Sequence, residues 1–308
     1  MYKGIHAAAV AARSGAGSPV ESTGPQKASI GGAAEGHRPL PNSMDVHFAQ
    51  LSDVGRIRQG NEDYLGHVAP ATPDEARSRG WLFVLADGVG GHDLGEVASR
   101  TAVESVLAGF REASPGEPLG ALIERLIKTA NTRVIDAGHA ASPGGARMAT
   151  TFVACALQYD RATIAHVGDS RCYLIRRGQA NLLTRDHTVA NEQVRLGIVS
   201  RSEASGSGAH HLLVRSLGAE LFVNVDVQEH QVLVGDVLLL CSDGLHNSLS
   251  GSEMAAVTSH GGDLNAAAKR LVDIANQRDG SDNISLQIIR VVGVERVGMY
   301  RGRPYRLR

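Results

Sequence analysis

Trp81-Leu82-Phe83-Val84-Leu85-Ala86-Asp87-Gly88-Val89-Gly90-Gly91-His92 opens with an unbroken apolar run of strand length and stops at a carboxylate and a glycine-rich turn. A short apolar run bounded by turn residues reads as a strand covered on both faces. Asp87 would then stand at the lip of a buried strand with little freedom to move. Residues 237–241 end the same way, in Ser242-Asp243-Gly244, and two further acidic turns, Asn61-Glu62-Asp63 and Ser281-Asp282-Asn283, lie far off in the chain. Oxygen-rich turns that converge in space are what hard divalent cations bind, so the pattern predicts a metallohydrolase.

Outward from that stretch, residues 46–51, 81–86, 150–158, 162–167, 171–176, 212–215, 223–229, 236–241 and 283–292 read as strands. Residues 94–110, 119–137, 252–259 and 264–276 read as helices; in one of them Leu119, Leu122, Ile123, Leu126 and Ile127 recur at the spacing of a single buried face. Gly168-Asp169-Ser170 joins two strand-like runs so tightly that they must pair antiparallel. The order predicts an α+β fold, an antiparallel β-sandwich flanked by helices on both faces in four layers (α-β-β-α), rather than a doubly wound parallel sheet.

With 308 residues and 43% apolar content, one catalytic domain can bury a full core. Net charge is −1 and the basic residues are interleaved with acids, which leaves no broad basic face and argues against nucleic acid or a lipid surface as partner. No run approaches the roughly 18 to 20 apolar residues of a membrane span, and the Ala-rich start, broken by Arg13, is too short for a signal peptide. Cys155, Cys172 and Cys241 lie in strand-like runs without CxxC spacing, as expected of reduced buried thiols in the cytoplasm. Residues 1–44, rich in Ala, Gly, Ser and Pro without period, are expected to be a disordered leader, 45–292 the catalytic domain, and 293–308 a basic tail. The tail's five arginines read either as a solvated end or as a docking arm.

Each acidic turn alone is weak evidence, because Asp-Gly is first a turn signal. Together with their neighbours they form an ordered set: Ser52 to Arg58 with Asn61-Glu62-Asp63; Asp87 to His92 with Gly95-Glu96 and Ala98-Ser99; and Met148-Ala149-Thr150-Thr151. Val167-Gly168-Asp169-Ser170-Arg171, Leu183-Thr184-Arg185-Asp186-His187, residues 235–240, Ser242-Asp243-Gly244-Leu245 and Asp282-Asn283 complete it. On these motifs the chain, from about residue 51 to 291, resembles the metal-dependent protein phosphatases of the PPM or protein phosphatase 2C type, in particular their bacterial serine/threonine branch.

The resemblance implies hydrolysis of phosphoserine and phosphothreonine with Mg²⁺ or Mn²⁺, through attack of a water bridging two ions. It also implies a monomer that acts on phosphorylated proteins and opposes a bacterial serine/threonine kinase. Residue by residue, Asp87 matches the carboxylate that bridges both ions, with the Gly88 carbonyl on one of them, and Asp243 and Asp282 complete the other. Glu62 and Asp63 match acids that act largely through waters on the metals; Asp169 with Asp243 matches a third, weaker ion site; Arg58 matches the residue that holds the substrate phosphate.

Arg56 is a rival to Arg58, since residues two apart on a strand share a face. Asn61 and Asp53 read as turn or capping residues, Thr150 and Thr151 as strand residues, and His166 as a satisfied core histidine. Hard cations prefer oxygen, so His92 and His187 read as hydrogen-bonding groups. Val89 stands where the eukaryotic branch has a histidine proposed as general acid, so the leaving-group proton must come from another group or from water; Ala149 replaces a usual glycine. Residues 189–211 occupy the place of the family's mobile flap. The alternative is a catalytically silent phosphoprotein-binding module, which loss of Asp87, Asp243 or Asp282 would favour; none is lost. A third reading, the branch acting on anti-sigma antagonists, fits Arg58 and the flap-length segment less well.

Overall fold

A computed structural model describes residues 29–31, 43–89, 94–114, 116–141, 148–205, 211–259, 261–300 and 303–306. The first half comprises β1 (Ser29–Gly31), β2 (Asp45–Asp53), β3 (Asp63–Val68), α1 (Pro73–Ser78), β4 (Trp81–Asp87), α2 (Gly95–Glu112), α3 (Leu119–Ala141) and β5 (Phe152–Gln158). Next come β6 (Arg161–Val167), β7 (Arg171–Arg176), β8 (Gln179–Leu182), α4 (Val189–Arg195), α5 (Arg201–Ser205), β9 (Asp226–Gln231) and β10 (Val237–Cys241). The chain ends with α6 (Asp243–His246), α7 (Gly251–Thr258), α8 (Leu264–Arg278), β11 (Ile284–Gly293), β12 (Val297–Tyr300) and β13 (Arg303–Arg306).

A six-stranded sheet in the order β1-β2-β11-β10-β7-β8 packs on a five-stranded sheet in the order β3-β4-β5-β6-β9, and their pairings are antiparallel. The period of two along a strand explains why β4 is apolar throughout. Trp81, Phe83 and Leu85 turn inward to meet Phe48, Val153, Ile164 and Leu240 between the sheets, while Leu82 and Val84 turn outward onto α2 and α3. β10 repeats the device, with Leu238 and Leu240 between the sheets and Leu239 and Cys241 against the layer of α7 and α8. The result is the expected four-layer α-β-β-α sandwich.

Antiparallel order also decides where the acidic turns go. A chain leaves a strand at the end where its neighbour enters, so Asp63 at the start of β3 pairs with Asp87 at the end of β4. Asp53 at the end of β2 pairs with Ile284 at the start of β11, and Cys241 at the end of β10 pairs with Leu286. The four acidic turns and the β6–β7 turn thus open at one end of the sandwich.

Several sequence expectations need correction. Residues 212–215 form no strand: they run as an irregular segment held by a single bridge, Thr188 to Leu213. β9 begins at Asp226 rather than 223. β3 and β8 carry too little apolar periodicity to be read, since Gly66 and His67 interrupt one and Gln179 to Asn181 make the other polar. Within the leader, Ser29 to Gly31 pairs with Gln50 to Ser52 as an edge strand, because backbone pairing needs no apolar side chains. The basic tail folds back as the β12–β13 hairpin with Val297 buried.

Phe83 tests the core between the sheets. Its ring lies 5.1 Å from Phe48 and 6.2 Å from Trp81, so Phe83→Ala should cost about 3–5 kcal/mol, measured as a lower urea midpoint at unchanged slope. Leu182→Ala, on the half-exposed strand β8, should stay within about 0.5 kcal/mol.

Candidate active site

The acidic end of the sandwich opens into a cavity of ≈ 860 Å³ whose lining includes Arg58, Asp87, Gly88, Asp169, Asp243 and Asp282. Glu62 and Asp63 stand behind this lining: Asp63 is only 6% exposed, and the Glu62 carbonyl accepts the Gly88 N–H (3.1 Å). The segments bearing the predicted site residues therefore meet at one end of the fold, in two ranks.

Asp63, Asp87 and Glu62 are held by uncharged neighbours. Ser242 Oγ donates to Asp63 Oδ2 (2.8 Å) and accepts the Ser285 N–H (3.0 Å). The Asp87 N–H donates to Thr151 Oγ1 (3.0 Å), Thr150 Oγ1 donates to the Asp87 carbonyl (2.8 Å), and Thr151 Oγ1 shares a hydrogen bond with Ser170 Oγ (2.7 Å). Asn283 accepts the Glu62 N–H on Oδ1 and donates from Nδ2 to the carbonyls of Val54 and Gly60, which fixes the loop between β2 and β3. Gly88 must be glycine for packing: a Cβ there would lie 2.4 Å from the Gly95 carbonyl oxygen.

Burial first, and then the charges of Asp63, Asp243, Asp169 and Asp282, raise Asp87 well above the ordinary carboxylate range. Asp63 and Asp169 are each pushed up to about 7, chiefly by burial and with Asp243 adding repulsion to both. Asp243 is raised by burial and by Asp282, Glu62 by burial. Asp63 Oδ1 is buried without a hydrogen-bond partner. Crowded, desolvated carboxylates with an orphaned oxygen fit a hard divalent cation, whose charge would reverse the sign of every one of these shifts.

Arg58 is the arginine that faces the cleft. Its Nη2 donates to Asp282 Oδ2 (2.9 Å), and that bond holds the guanidinium above its usual value. Arg56 instead packs its side chain near Gly280, and the shared-face argument does not apply because β2 ends at Asp53. A pair this exposed contributes only about 0–1 kcal/mol, so stability gives no reason for it. Asp53 Oδ1 accepts from Gly55 N and Asn276 Nδ2, and Asn61 accepts the Asp63 N–H, so both are turn residues as expected. His92 lies outside the described residues.

Two histidines clamp the Asp169 turn: His187, a hydrogen-bonding group as expected, and His246, which the sequence reading missed. His187 Nδ1 accepts the Gly168 N–H (3.2 Å) while its own N–H donates to the Gly168 carbonyl (3.0 Å), and His246 Nε2 donates to the Asp169 carbonyl (3.0 Å). His187 is buried and His246 half-buried, and desolvation lowers both so that they stay neutral; burial, then His166, lowers His187 to about 4. His166, His187 and Asp226 have ligand-type atoms near one another, but the rings stack at 4.7 Å with 17° between planes, so their lone pairs do not converge. Arg215 already occupies Asp226 (3.0 Å), and the trio is a brace behind the flap stem. His166 was expected to be satisfied; its Nε2 meets the Arg185 carbonyl, but Nδ1 has no hydrogen-bond partner. The flap segment carries α4 and α5, and its two ends are pinned together where Val189 N–H donates to Leu212 O and Val214 N–H to His187 O.

Residues 61–284 match the family model for protein phosphatase 2C. A serine/threonine phosphatase of Listeria innocua is 32% identical over 84% of this chain and 99% of its own. The serine/threonine phosphatase of S. agalactiae superposes with a TM-score of 0.71 at 30% identity, over 80% of this chain and 100% of the other. The catalytic domain of the phosphatase PstP, solved with two manganese ions, gives 0.67 at 32%, over 81% and 99%.

Protons and metal compete for Asp63 and Asp169. Below pH about 7 the folded protein holds protons on these groups that a cation must displace, and above it they are already ionised. The rise in melting temperature produced by a fixed Mn²⁺ concentration should therefore grow as pH increases through that value, with affinity gaining up to about tenfold per pH unit for each proton displaced. A thermal-shift series in Mn²⁺ and pH measures it; a flat response would contradict the carboxylate cluster as the binding site.

Proposed function

The chain belongs to the protein phosphatase 2C family of metal-dependent serine/threonine phosphatases, and on that premise we propose that the acidic end of its sandwich hydrolyses phosphoserine and phosphothreonine in proteins. The observation that carries the reading is the convergence of Asp87, Asp169, Asp243 and Asp282 with Arg58 on one cleft.

Asp87, the Gly88 carbonyl, Asp243 and Asp282 would hold two Mg²⁺ or Mn²⁺ ions, with Glu62 and Asp63 behind them and Asp169 with Asp243 at a third. Bound there, such ions supply Lewis-acid charge to phosphoryl oxygens and lower the pKa of a water between them. The protein's part is to keep its carboxylates fixed and ionised and to orient the ester. With Asp282 holding a cation, the Arg58 fork would be free for the phosphate, which it can grip through two parallel hydrogen bonds. Val89 has no proton to give, so the leaving oxygen takes its proton from another group of the cleft or from solvent.

The same reading makes residues 45–292 the catalytic unit, and proteins phosphorylated by a bacterial serine/threonine kinase its substrates. We place it in the cytoplasm as a monomer; the buried free thiols of Cys155, Cys172 and Cys241 support a reducing compartment. No helix among the described residues is long and apolar enough to cross a membrane. The intact carboxylate set favours the enzyme over a silent binding module.

Asp87→Asn and Asp243→Asn should each reduce turnover of a phosphothreonine peptide by at least about a thousandfold, with circular dichroism unchanged. Near-normal rates at saturating Mn²⁺ would overturn the assignment. Arg58→Ala should raise KM for the peptide by about tenfold or more with an unchanged melting temperature, and Arg58→Lys should recover only part of the loss because a point charge cannot reproduce the fork.

A further inference from the structure

The loop following the flap carries an aromatic ring in an unusual place. Phe222 is 86% exposed and Leu221 64% exposed, yet the loop that bears them is rigidly built. Asn131 on α3, 1% exposed, spends its whole amide on it: Nδ2 donates to the carbonyls of Glu220 (2.8 Å) and Leu221 (3.2 Å), and Oδ1 accepts the Gly218 N–H (2.7 Å). Gly218 has φ +88°, and a Cβ on it would lie 2.3 Å from the Met148 carbonyl oxygen, so the backbone at the loop's start is fixed as well. A loop held this firmly does not expose a large ring through looseness. Holding apolar surface in water at the rim of a cleft marks a place where something docks.

What docks follows from position. Phe222, Val214 and Val223 line a hollow of ≈ 350 Å³ whose wall includes Leu213, Ser216 and Ala219, and those three residues also line the catalytic cleft. The hollow is a side room of the cleft rather than a separate site. Its guanidinium, Arg215, is already engaged by Asp226 (3.0 Å), and the Glu220 carboxylate in its lining disfavours an acidic guest. Exposed Leu212 extends the apolar rim back toward the metal-binding end.

We propose that this hollow receives an apolar side chain of the phosphoprotein substrate that flanks the phosphorylated residue, with Phe222 as its main contact. The hollow thus sets a sequence preference that the phosphate site alone lacks. The proposal rests on the phosphatase reading given above.

The test compares phosphothreonine peptides bearing Leu, Ser or Asp at each flanking position in turn, with p-nitrophenyl phosphate as a substrate too small to reach the hollow. The wild-type protein should favour Leu at one flanking position by about tenfold in kcat/KM, the size expected of one well-placed apolar group. Phe222→Ser should erase that preference while leaving p-nitrophenyl phosphate within about twofold, and Phe222→Leu should retain most of it. The proposal fails if the wild type shows no preference, if Phe222→Ser keeps it, or if the variant loses both substrates equally. It also fails if size-exclusion with light scattering finds a dimer that Phe222→Ser dissolves without changing peptide preference, since a second copy would then be the occupant. Hydrolysis of neither substrate by the wild type would overturn the phosphatase reading itself, and the proposal with it.

Discussion

Carboxylates taken out of water repel one another, and buried Asp63 and Asp169 crowd half-buried Asp87 and Asp243 at one end of this sandwich while the nearby Arg58 is committed to Asp282. Their raised proton affinities are the signature of that crowding. The fold tolerates the cost because the acids sit at strand ends, where the pairing of two hydrophobic sheets is already complete behind them. A divalent cation held by these acids, as proposed, would turn the same arrangement from a liability into a joint between the sheets: Asp87 extends from the five-stranded sheet, and Asp243 and Asp282 flank strands of the six-stranded one.

Apart from Arg58 on Asp282, the supports of the acids are neutral. Ser242, Ser285, Thr150, Thr151, Ser170 and Asn283 fix backbone and side chain without supplying a compensating charge. Arginines placed there instead would stabilise the empty fold and spoil cation binding. Hydroxyl and amide partners preserve the negative field while removing conformational freedom, which is what a preorganised metal site requires.

Much of this was legible in the sequence because the decisive signals are local. The apolar runs of β4 and β10 and their terminal acids name both the buried strands and the lip residues, and the tight β6–β7 turn imposes antiparallel order. The missed parts were those whose reason lies elsewhere in the chain. Strand β3 exists because β4 and α2 cover it, and its own residues, Asp-Tyr-Leu-Gly-His-Val, carry no clear period. His246 acts on the Asp169 turn across a long sequence separation, and Asn131 acts on a loop far beyond its own helix. Thr150 and Thr151 were read as strand members, whereas β5 begins after them and their hydroxyls bracket Asp87.

The placement of the cysteines bears on how such a protein meets oxidants. Cys155, Cys172 and Cys241 are completely buried, and burial is the chief cause that lifts each thiol far from ionisation, Cys241 to about 12. Peroxide attacks the thiolate, and none is present at neutral pH. The cleft lined by Asp87, Asp169, Asp243 and Asp282 holds no cysteine among the described residues, and the sulfur in its lining is the thioether of Met148. The three sulfurs serve as small apolar filling for the sheets, out of reach of an oxidant in solvent.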